Sequence, residues 1–259
     1  MTTLFQASSS SVRAMHILMR CSIIPFLLLT DISWQWVAVS IFTYYLYFAV
    51  GLSVMMHRYY SHKSFEFFSP LIKWPFVLIS LLIVRGSPLA WAYIHRLHHE
   101  NVDSDLDPHT PVGHKLKLFS LMDDKHVADK IDIFKIRKLM SKEHIFLNKW
   151  YWAIIFTILA IMTLINVNLL LWAWIIPVCA VQLSITLHNH IAHTNMLGSY
   201  TNFQTEWTGR SFNNWLIWIL YLGEAWHNNH HAMSKSYTAQ HRKWEIDPQA
   251  FLIKMIGKV

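Results

Sequence analysis

The chain has 259 residues, of which 54% are hydrophobic and 14% are charged, and its formal net charge is +7. Soluble domains carry about 25% charged residues, so this composition excludes an ordinary soluble domain and indicates a membrane protein. The basic residues are interspersed with long apolar runs and form no separate basic arm, so the expected partner is a lipid bilayer and not nucleic acid.

Four apolar runs approach the roughly 20 residues that a helix needs to cross a membrane. They cover residues 12–30, 34–56, 146–165 and 169–187 and form two predicted hairpins. The hairpin tips, residues 31–33 and 166–168, contain no Lys or Arg, whereas basic residues lie at the opposite ends of the runs. We therefore expect a multi-pass protein with both termini and the histidine motifs on the cytoplasmic side. The first run is interpreted as a retained helix, because no small-residue cleavage signal precedes the next run.

Two further apolar runs, residues 74–84 and 215–223, are too short to span and are expected to lie at the membrane interface. Residues 123–143 mix basic, acidic and apolar side chains at roughly helical spacing, which predicts an amphipathic surface helix. No repeat, linker or low-complexity tract divides the chain, so we expect one domain over residues 1–259.

Eleven of the seventeen histidines lie in four motifs near these runs: HRYYSH at 57–62, HRLHH at 95–99, HNHIAH at 188–193 and HNNHH at 227–231. On a helix, the first and last histidines of HxxHH share a face, while the middle one is turned away by about 100°. Each motif can therefore serve two ions, and the number of imidazoles exceeds what one ion accepts. Imidazole suits zinc, copper, iron and nickel, and a structural zinc site would stop at four ligands. Two irons that activate dioxygen beside a lipid chain fit this pattern.

These motifs resemble those of the integral-membrane fatty acyl desaturases, specifically the acyl-CoA and acyl-lipid enzymes that introduce a double bond between the ninth and tenth carbons of a saturated chain. A glycine six residues ahead of HRxxSH appears as GLSVMMHRYYSH from Gly51. WxxxHRxHH followed by DPH appears as WAYIHRLHHENVDSDLDPH from Trp91. NxxxH matches Asn189 and His193, and GExxHNxHH matches GEAWHNNHH from Gly223.

The resemblance implies an all-α integral-membrane fold, with four transmembrane helices in two hairpins under a cytoplasmic helical cap that carries a di-iron site. It implies one iron held by His57, His62, His95, His99 and His230. It implies a second iron held by His98, His193, His227 and His231, with Asn189 reaching it through a water. The implied reaction consumes O2 and leaves a cis double bond. The resemblance also implies electrons from a ferredoxin, or from a small haem protein with its reductase. The absence of a GxGxxG motif among the seven glycines agrees with a separate donor.

Four residues beside the motifs have two interpretations each. Asp103, Asp107 and Glu224 match acidic positions of the family, and they either hydrogen-bond ligand histidines or act as surface or capping carboxylates. His190 stands where the family usually has a small residue, and it either tunes the metal site or packs beside it.

Two departures from the family bear on the acyl carrier. The animal acyl-CoA enzymes have an Arg-Asp pair directly before HRxHH, where this chain has Tyr93 and Ile94, and their HxGW motif after DPH is absent here. An acyl-CoA, an acyl-lipid and an acyl-carrier-protein substrate therefore all stay open.

Three further predictions concern the reaction, the class of protein and the membrane. A membrane hydroxylase or acetylenase on the same scaffold is the alternative reaction. A metal transporter or non-catalytic metal-binding protein is disfavoured, because residues 34–56 and 169–187 contain no charged residue that could line an ion path. The compact chain favours the bacterial inner membrane over the endoplasmic reticulum.

Overall fold

The computed structural model describes residues 6–108 and 140–259, and these stretches are mainly helical. In chain order their helices are α1 Ser9–Leu29, α2 Trp34–His62, α3 Pro70–Leu82, α4 Pro88–Glu100, α5 Lys142–Lys149, α6 Tyr151–Ile165, α7 Leu169–Ala192, α8 Trp215–Ala225, α9 His227–Ala232 and α10 Pro248–Ile256. Most of the amphipathic helix predicted for residues 123–143 falls outside the described residues.

Two of the helices change their winding along their length. The chain is α-helical over Trp34–Tyr45 and π-helical over Leu46–His62 in α2, and it is π-helical over Leu169–Ile175 and α-helical over Ile176–Ala192 in α7. Helix α8 is a succession of short 3₁₀ and α-helical turns. A single 3₁₀ turn, Glu206–Thr208, lies in the segment before α8.

Among the described residues, two short antiparallel strand pairs connect segments that lie near the helix ends. The strands are β1 Glu66–Phe67, β2 Ser199–Tyr200, β3 Asn213–Asn214 and β4 Gly257–Lys258. β1 pairs with β4, with Phe67 opposite Gly257, and β2 pairs with β3, with Tyr200 opposite Asn213. The first pair joins the chain's last residues to the segment between α2 and α3.

Local sequence signals start several helices. Helices α3, α4 and α10 begin with a Ser-Pro or Asp-Pro step, in which the first residue caps the helix and proline occupies its first turn. The Ser87 hydroxyl accepts from the Ala90 amide at 3.3 Å, and the Asp247 carboxylate accepts from the Ala250 amide at 3.1 Å. In α1, Ser8 and Ser11 form a reciprocal capping box.

The prediction of an all-α integral-membrane fold is confirmed. Within the described residues, three helices, α1, α2 and α7, are long and apolar enough to cross a membrane, and α5 with α6 passes the same test as a bent pair. The short runs predicted to lie at the interface correspond to α3, whose 13 residues reach only about 20 Å, and to α8. Both are apolar helices below spanning length.

The third predicted span differs from a straight helix. A bend of 63° separates α5 from α6, so the run predicted over residues 146–165 crosses a break. The backbone of Trp150 leaves the helical region there, at φ −106° and ψ 15°. Just before the break, the Ser87 hydroxyl donates to the Asn148 side chain at 2.7 Å, which ties α5 to the start of α4.

The two predicted hairpins lie side by side. At their tips, the Asp31 amide donates to the Asn168 side chain at 3.0 Å. Between the helices, a large core buries Met19, Phe48 and Val178 among others. Inside this core, the Trp174 indole donates to the Leu82 carbonyl at 2.9 Å. Two of the histidine motifs, HRYYSH and HNHIAH, lie at the ends of α2 and α7 that are opposite to these tips.

Candidate metal centre

The π-helical winding of α2 aligns the two histidines of HRYYSH. Residues five apart are about 140° apart around an α-helix, but a π-helix closes its hydrogen bonds from i to i+5 and brings them close to one face. The ring centroids of His57 and His62 are 5.1 Å apart. Both imidazoles therefore point into the same group, although an α-helix would separate them.

The two HxxHH motifs lie on α4 and α9, and their histidines separate as the helical periodicity predicts. His95 and His99, at the first and last positions, lie on one side of α4, and their Nε2 atoms are 3.1 Å apart. On α9, the Nε2 atoms of His227 and His231 are 2.9 Å apart, whereas His230 turns toward α2. Each motif thus contributes to two groups of imidazoles.

The first group, called here the five-histidine group, joins α2, α4 and α9. Its members are His57, His62, His95, His99 and His230. The Nε2 atoms meet pairwise: His57 with His230 at 2.9 Å, His62 with His95 at 2.8 Å and His230 with His99 at 3.0 Å. Their donor atoms all lie within 4.8 Å of one another.

The second group, the four-histidine group, joins α4, the end of α7 and α9. Its members are His98, His193, His227 and His231, and all four are buried. The Nε2 atoms of His193 and His227 are 3.0 Å apart, and those of His98 and His231 are 3.3 Å apart. The two groups are adjacent, because the rings of His99 and His231 stack with centroids 4.5 Å apart.

The donor set fits metal ions. Nitrogens that bind a metal at about 2.1 Å from neighbouring directions are themselves about 3 Å apart, which is the spacing of the paired Nε2 atoms. Two neutral imidazoles can also approach to about 3 Å when the N–H of one donates to the other. Such a hydrogen bond accounts for one pair of rings but not for a group of four or five. The convergence of nine ring nitrogens in two groups is compatible with a metal ion in each.

Carboxylates hold the outer nitrogens of three of these histidines. Glu224 lies 2.9 Å from Nδ1 of His57, and both oxygens of Asp107 lie within 3.0 Å of Nδ1 of His98. Asp103 accepts from Nδ1 of His193 at 3.1 Å. A proton held on Nδ1 leaves the lone pair of Nε2 pointing into the group, which is the tautomer that a metal ligand needs.

Burial also favours the neutral form of several of these imidazoles. It lowers the pKa of His95 well below its usual range, and the nearby histidines lower it further. The same two causes lower the pKa of His99, His227, His230 and His231. For Glu224, burial by itself would raise the pKa, but its interactions with His57, followed by the charge of Arg58, outweigh burial and lower the pKa. The site therefore combines neutral donors with an ionised carboxylate.

Two further residues were considered from the sequence, His190 and Asn189. His190 lies on α7 but belongs to neither of the groups that the described residues form. Asn189 lies one turn before His193, whose amide donates to the Asn189 carbonyl at 3.2 Å, and its contact with a metal through a water stays a prediction. The neighbouring His188 bonds through Nε2 to the Glu224 carbonyl oxygen at 2.8 Å.

The sequence reading missed several buried polar residues behind the histidines. Arg58 and Asp247 form a buried ion pair next to His57, and Asn229 of α9 donates to Glu245. Arg58 and Asn229 lie within the histidine motifs, but for the two carboxylates the sequence signal is limited to the Asp-Pro step at the start of α10, which predicts a helix cap and nothing more.

Most of the chain is similar to known proteins. Residues 33–250, which include all four histidine motifs, match the family model described as fatty acid desaturase. The chain is 30% identical over 235 residues to the sn-1 stearoyl-lipid 9-desaturase of Anabaena variabilis, covering 84% of this chain and 79% of that protein. It is 28% identical over 250 residues to Delta-9 acyl-lipid desaturase 1 of Arabidopsis thaliana, covering 91% and 75%. It is 27% identical over 231 residues to the Acyl-CoA C20 Delta5-desaturase of Anemone leveillei, covering 86% and 72%.

Proposed function

The chain belongs to the fatty acid desaturase family, and on that premise we propose that it is an O2-dependent acyl desaturase that introduces a cis double bond between the ninth and tenth carbons of a saturated chain. The observation that carries the proposal is the pair of adjacent, all-histidine groups at one end of the apolar helices. The named activities of two relatives, which are 9-desaturases, support the double-bond position.

Two iron ions are the proposed cofactor. The five-histidine group would hold one, and the four-histidine group, with Asn189 through a water, would hold the other. Imidazole also suits zinc, but zinc has no redox chemistry and desaturation is an oxidation. When bound, the irons would supply the activation of dioxygen that removes hydrogen from an unactivated C–H bond.

The overall reaction fixes what the site must receive. A –CH2–CH2– unit loses two hydrogen atoms and becomes –CH=CH–, while O2 takes up these hydrogens, two further electrons and two protons, and leaves as two waters. The two electrons require a separate donor, and we propose a ferredoxin or a small haem protein with its reductase. Because basic residues lie on the histidine side of the spans, we propose that this side faces the cytoplasm, in the bacterial inner membrane.

The residues of the chain itself position and isolate the reacting groups. Asp103, Asp107 and Glu224 orient their histidines, and the burial of the four-histidine group excludes bulk water. The helices that lead to the site, α2 and α7, are apolar along their spanning length. An acyl chain that lies along them would bring two neighbouring carbons to the histidine groups, and holding the chain in this place determines which carbons react.

The acyl carrier that we propose is a membrane lipid. Where the animal acyl-CoA enzymes have an Arg-Asp pair, Ile94 is buried and Tyr93 packs beside Leu89, Ala92 and Met140. This apolar packing offers no ion pair to the phosphates of coenzyme A. Two of the relatives act on acyl lipids by name, and one acts on an acyl-CoA.

The test is the fatty-acid profile of a host that expresses the chain, with His227→Ala as the control. Double-bond positions are mapped, and thioester and glycerolipid fractions are analysed separately over time. A new Δ9-monounsaturated chain that requires His227 and appears first in glycerolipid is the expected result. A hydroxylated or acetylenic product would replace desaturation by the alternative reaction, and earlier enrichment of the thioester fraction would overturn the lipid carrier.

A further inference from the structure

Two buried carboxylates lie outside every histidine motif and two residues apart, on the segment that precedes α10. Glu245 is fully buried and Asp247 is 7% exposed. Burying an ionised carboxylate costs several kcal/mol unless charged or hydrogen-bonding partners offset it. Through their hydrogen-bonding and ionic partners, both carboxylates are connected to the five-histidine group.

Asp247 is connected to His57 through two buried charges. Its two oxygens accept from the two terminal nitrogens of Arg58, each at 3.1 Å. The Arg58 guanidinium lies 3.4 Å from Glu224, and Glu224 lies 2.9 Å from Nδ1 of His57. Arg58 is therefore held between two carboxylates, and its fixed fork sets where the Glu224 oxygens stand.

The position of Asp247 is itself fixed by the backbone around it. Its carboxylate accepts from the Ala239 amide at 2.9 Å, from the Thr238 hydroxyl at 3.2 Å and from the Ala250 amide of α10 at 3.1 Å. A side chain at Gly223 would place its Cβ 2.1 Å from Oδ1 of Asp247. The residue next to Glu224 must therefore be glycine for Asp247 to stand where it does.

Glu245 is connected to His230 through the backbone of α9. One carboxylate oxygen accepts from Nδ2 of Asn229 at 2.9 Å and from the amides of His241 and Arg242, at 2.8 and 2.6 Å. The other accepts from the Tyr200 hydroxyl and the Asn202 side chain, both at 2.6 Å. Asn229 lies between His227 and His230 in HNNHH, so this carboxylate holds the helix that presents all three of its histidines.

We propose that Glu245 and Asp247 are positioning residues of the metal centre, which place His230 and His57 so that their Nε2 atoms meet at 2.9 Å. Asp247 acts through Arg58 and Glu224 on the five-histidine group alone. Glu245 acts on both groups, because α9 also carries His227 and His231 of the four-histidine group. The proposal rests on the proposed function in one respect, that the two groups bind metal ions.

The two carboxylates have different expected effects. Changing the residues that orient a metal ligand weakens metal binding by about 10- to 100-fold. Asp247 acts through two intermediates, so we expect Asp247→Asn to weaken the first ion by about 10-fold, the lower end of that range, and to leave the second unchanged. In Glu245→Gln an amide NH2 faces N–H and O–H donors, and we expect both ions to be weakened.

The experiment measures iron bound per chain in the full-length protein, purified in detergent, during titration with a competing chelator. The iron signals in Mössbauer spectra distinguish the two ions. Asp31→Asn, at the exposed hairpin tip far from the histidines, is the control for the same chemical change. The double variant Arg58→Gln/Asp247→Asn removes both charges of the pair, which avoids leaving a buried arginine that has lost one of its two carboxylates and could unfold the chain.

The expected result is one weakened iron in Asp247→Asn and in the double variant, two in Glu245→Gln, and none in Asp31→Asn. If folded Asp247→Asn and the double variant hold both irons as tightly as the unaltered chain, with the same spectrum, the positioning role is overturned while the proposed function stands. If the unaltered chain binds no iron, the proposed function fails first and this proposal fails with it.

Discussion

Replacing Asp107 with asparagine is expected to weaken metal binding in the four-histidine group. Oδ1 of Asp107 lies 2.9 Å from Nδ1 of His98, while Oδ2 lies 3.0 Å from the same nitrogen and also accepts from the Asp103 amide at 2.9 Å. The amide oxygen of asparagine can satisfy the Asp103 amide, but its NH2 then takes the place of Oδ1. An NH2 group can only donate, so it favours an imidazole with its proton on Nε2, where a metal ligand needs a lone pair.

The expected loss is about 10- to 100-fold in affinity for the second metal ion, the range found when such partners of ligand histidines are changed. This corresponds to about 1.4–2.8 kcal/mol, since each tenfold change is about 1.4 kcal/mol. The assay is a chelator competition on the purified protein, with iron per chain as the readout. Asp105→Asn, an exposed residue of the same turn, is the matched control. If Asp107→Asn and Asp105→Asn bind iron equally well and both are folded, Asp107 does not set the tautomer of His98.

Three further outcomes are expected. His227→Ala should abolish formation of the unsaturated product and remove iron from the four-histidine group, whereas His190→Ala should retain two irons, and equal iron contents in the two variants would contradict the grouping. Gly223→Ala should lower the free energy of unfolding by about 1–3 kcal/mol, the usual cost of overpacking a core, because the added Cβ would lie 2.1 Å from Asp247. Heating in detergent followed by size-exclusion chromatography gives the thermal midpoint of unfolding, and an unchanged thermal midpoint would refute the close contact. Removing iron with a chelator should lower the thermal midpoint, since a ligand that binds only the folded state stabilises it, and re-added iron should restore the midpoint.

Much of the site could be predicted because the HxxHH motifs lie on short α-helices. Their periodicity is fixed by backbone hydrogen bonds, so spacing alone separates the middle histidine from the outer two, as on α4 and α9. The carboxylates Asp103, Asp107 and Glu224 could be selected as candidates because they match acidic positions of the family. In the structure they lie within hydrogen-bond distance of His193, His98 and His57, respectively.

The winding of α2 could not be predicted in the same way. Its sequence is apolar almost all round, since its neighbours are other helices on one side and lipid on the other, so hydrophobic periodicity cannot distinguish an α-helix from a π-helix. The spacing of five between His57 and His62 is the one local hint, and it acquires meaning only when both rings are required in one group. The bend at Trp150 was hidden for the same reason, because apolar residues continue on its far side.

The polar residues that support the histidines are the part that sequence spacing cannot reach. Arg58 and Asp247 are 189 positions apart, and the sequence of neither segment predicts a contact with the other. Their pairing follows from tertiary structure: Arg58 is buried beside His57 at the end of α2, and a buried guanidinium requires carboxylates. Glu224 supplies one and the cap of α10 supplies the other. A chain could therefore keep every histidine motif and still lose the geometry of the five-histidine group through a change near residue 247, which a motif search would count as neutral.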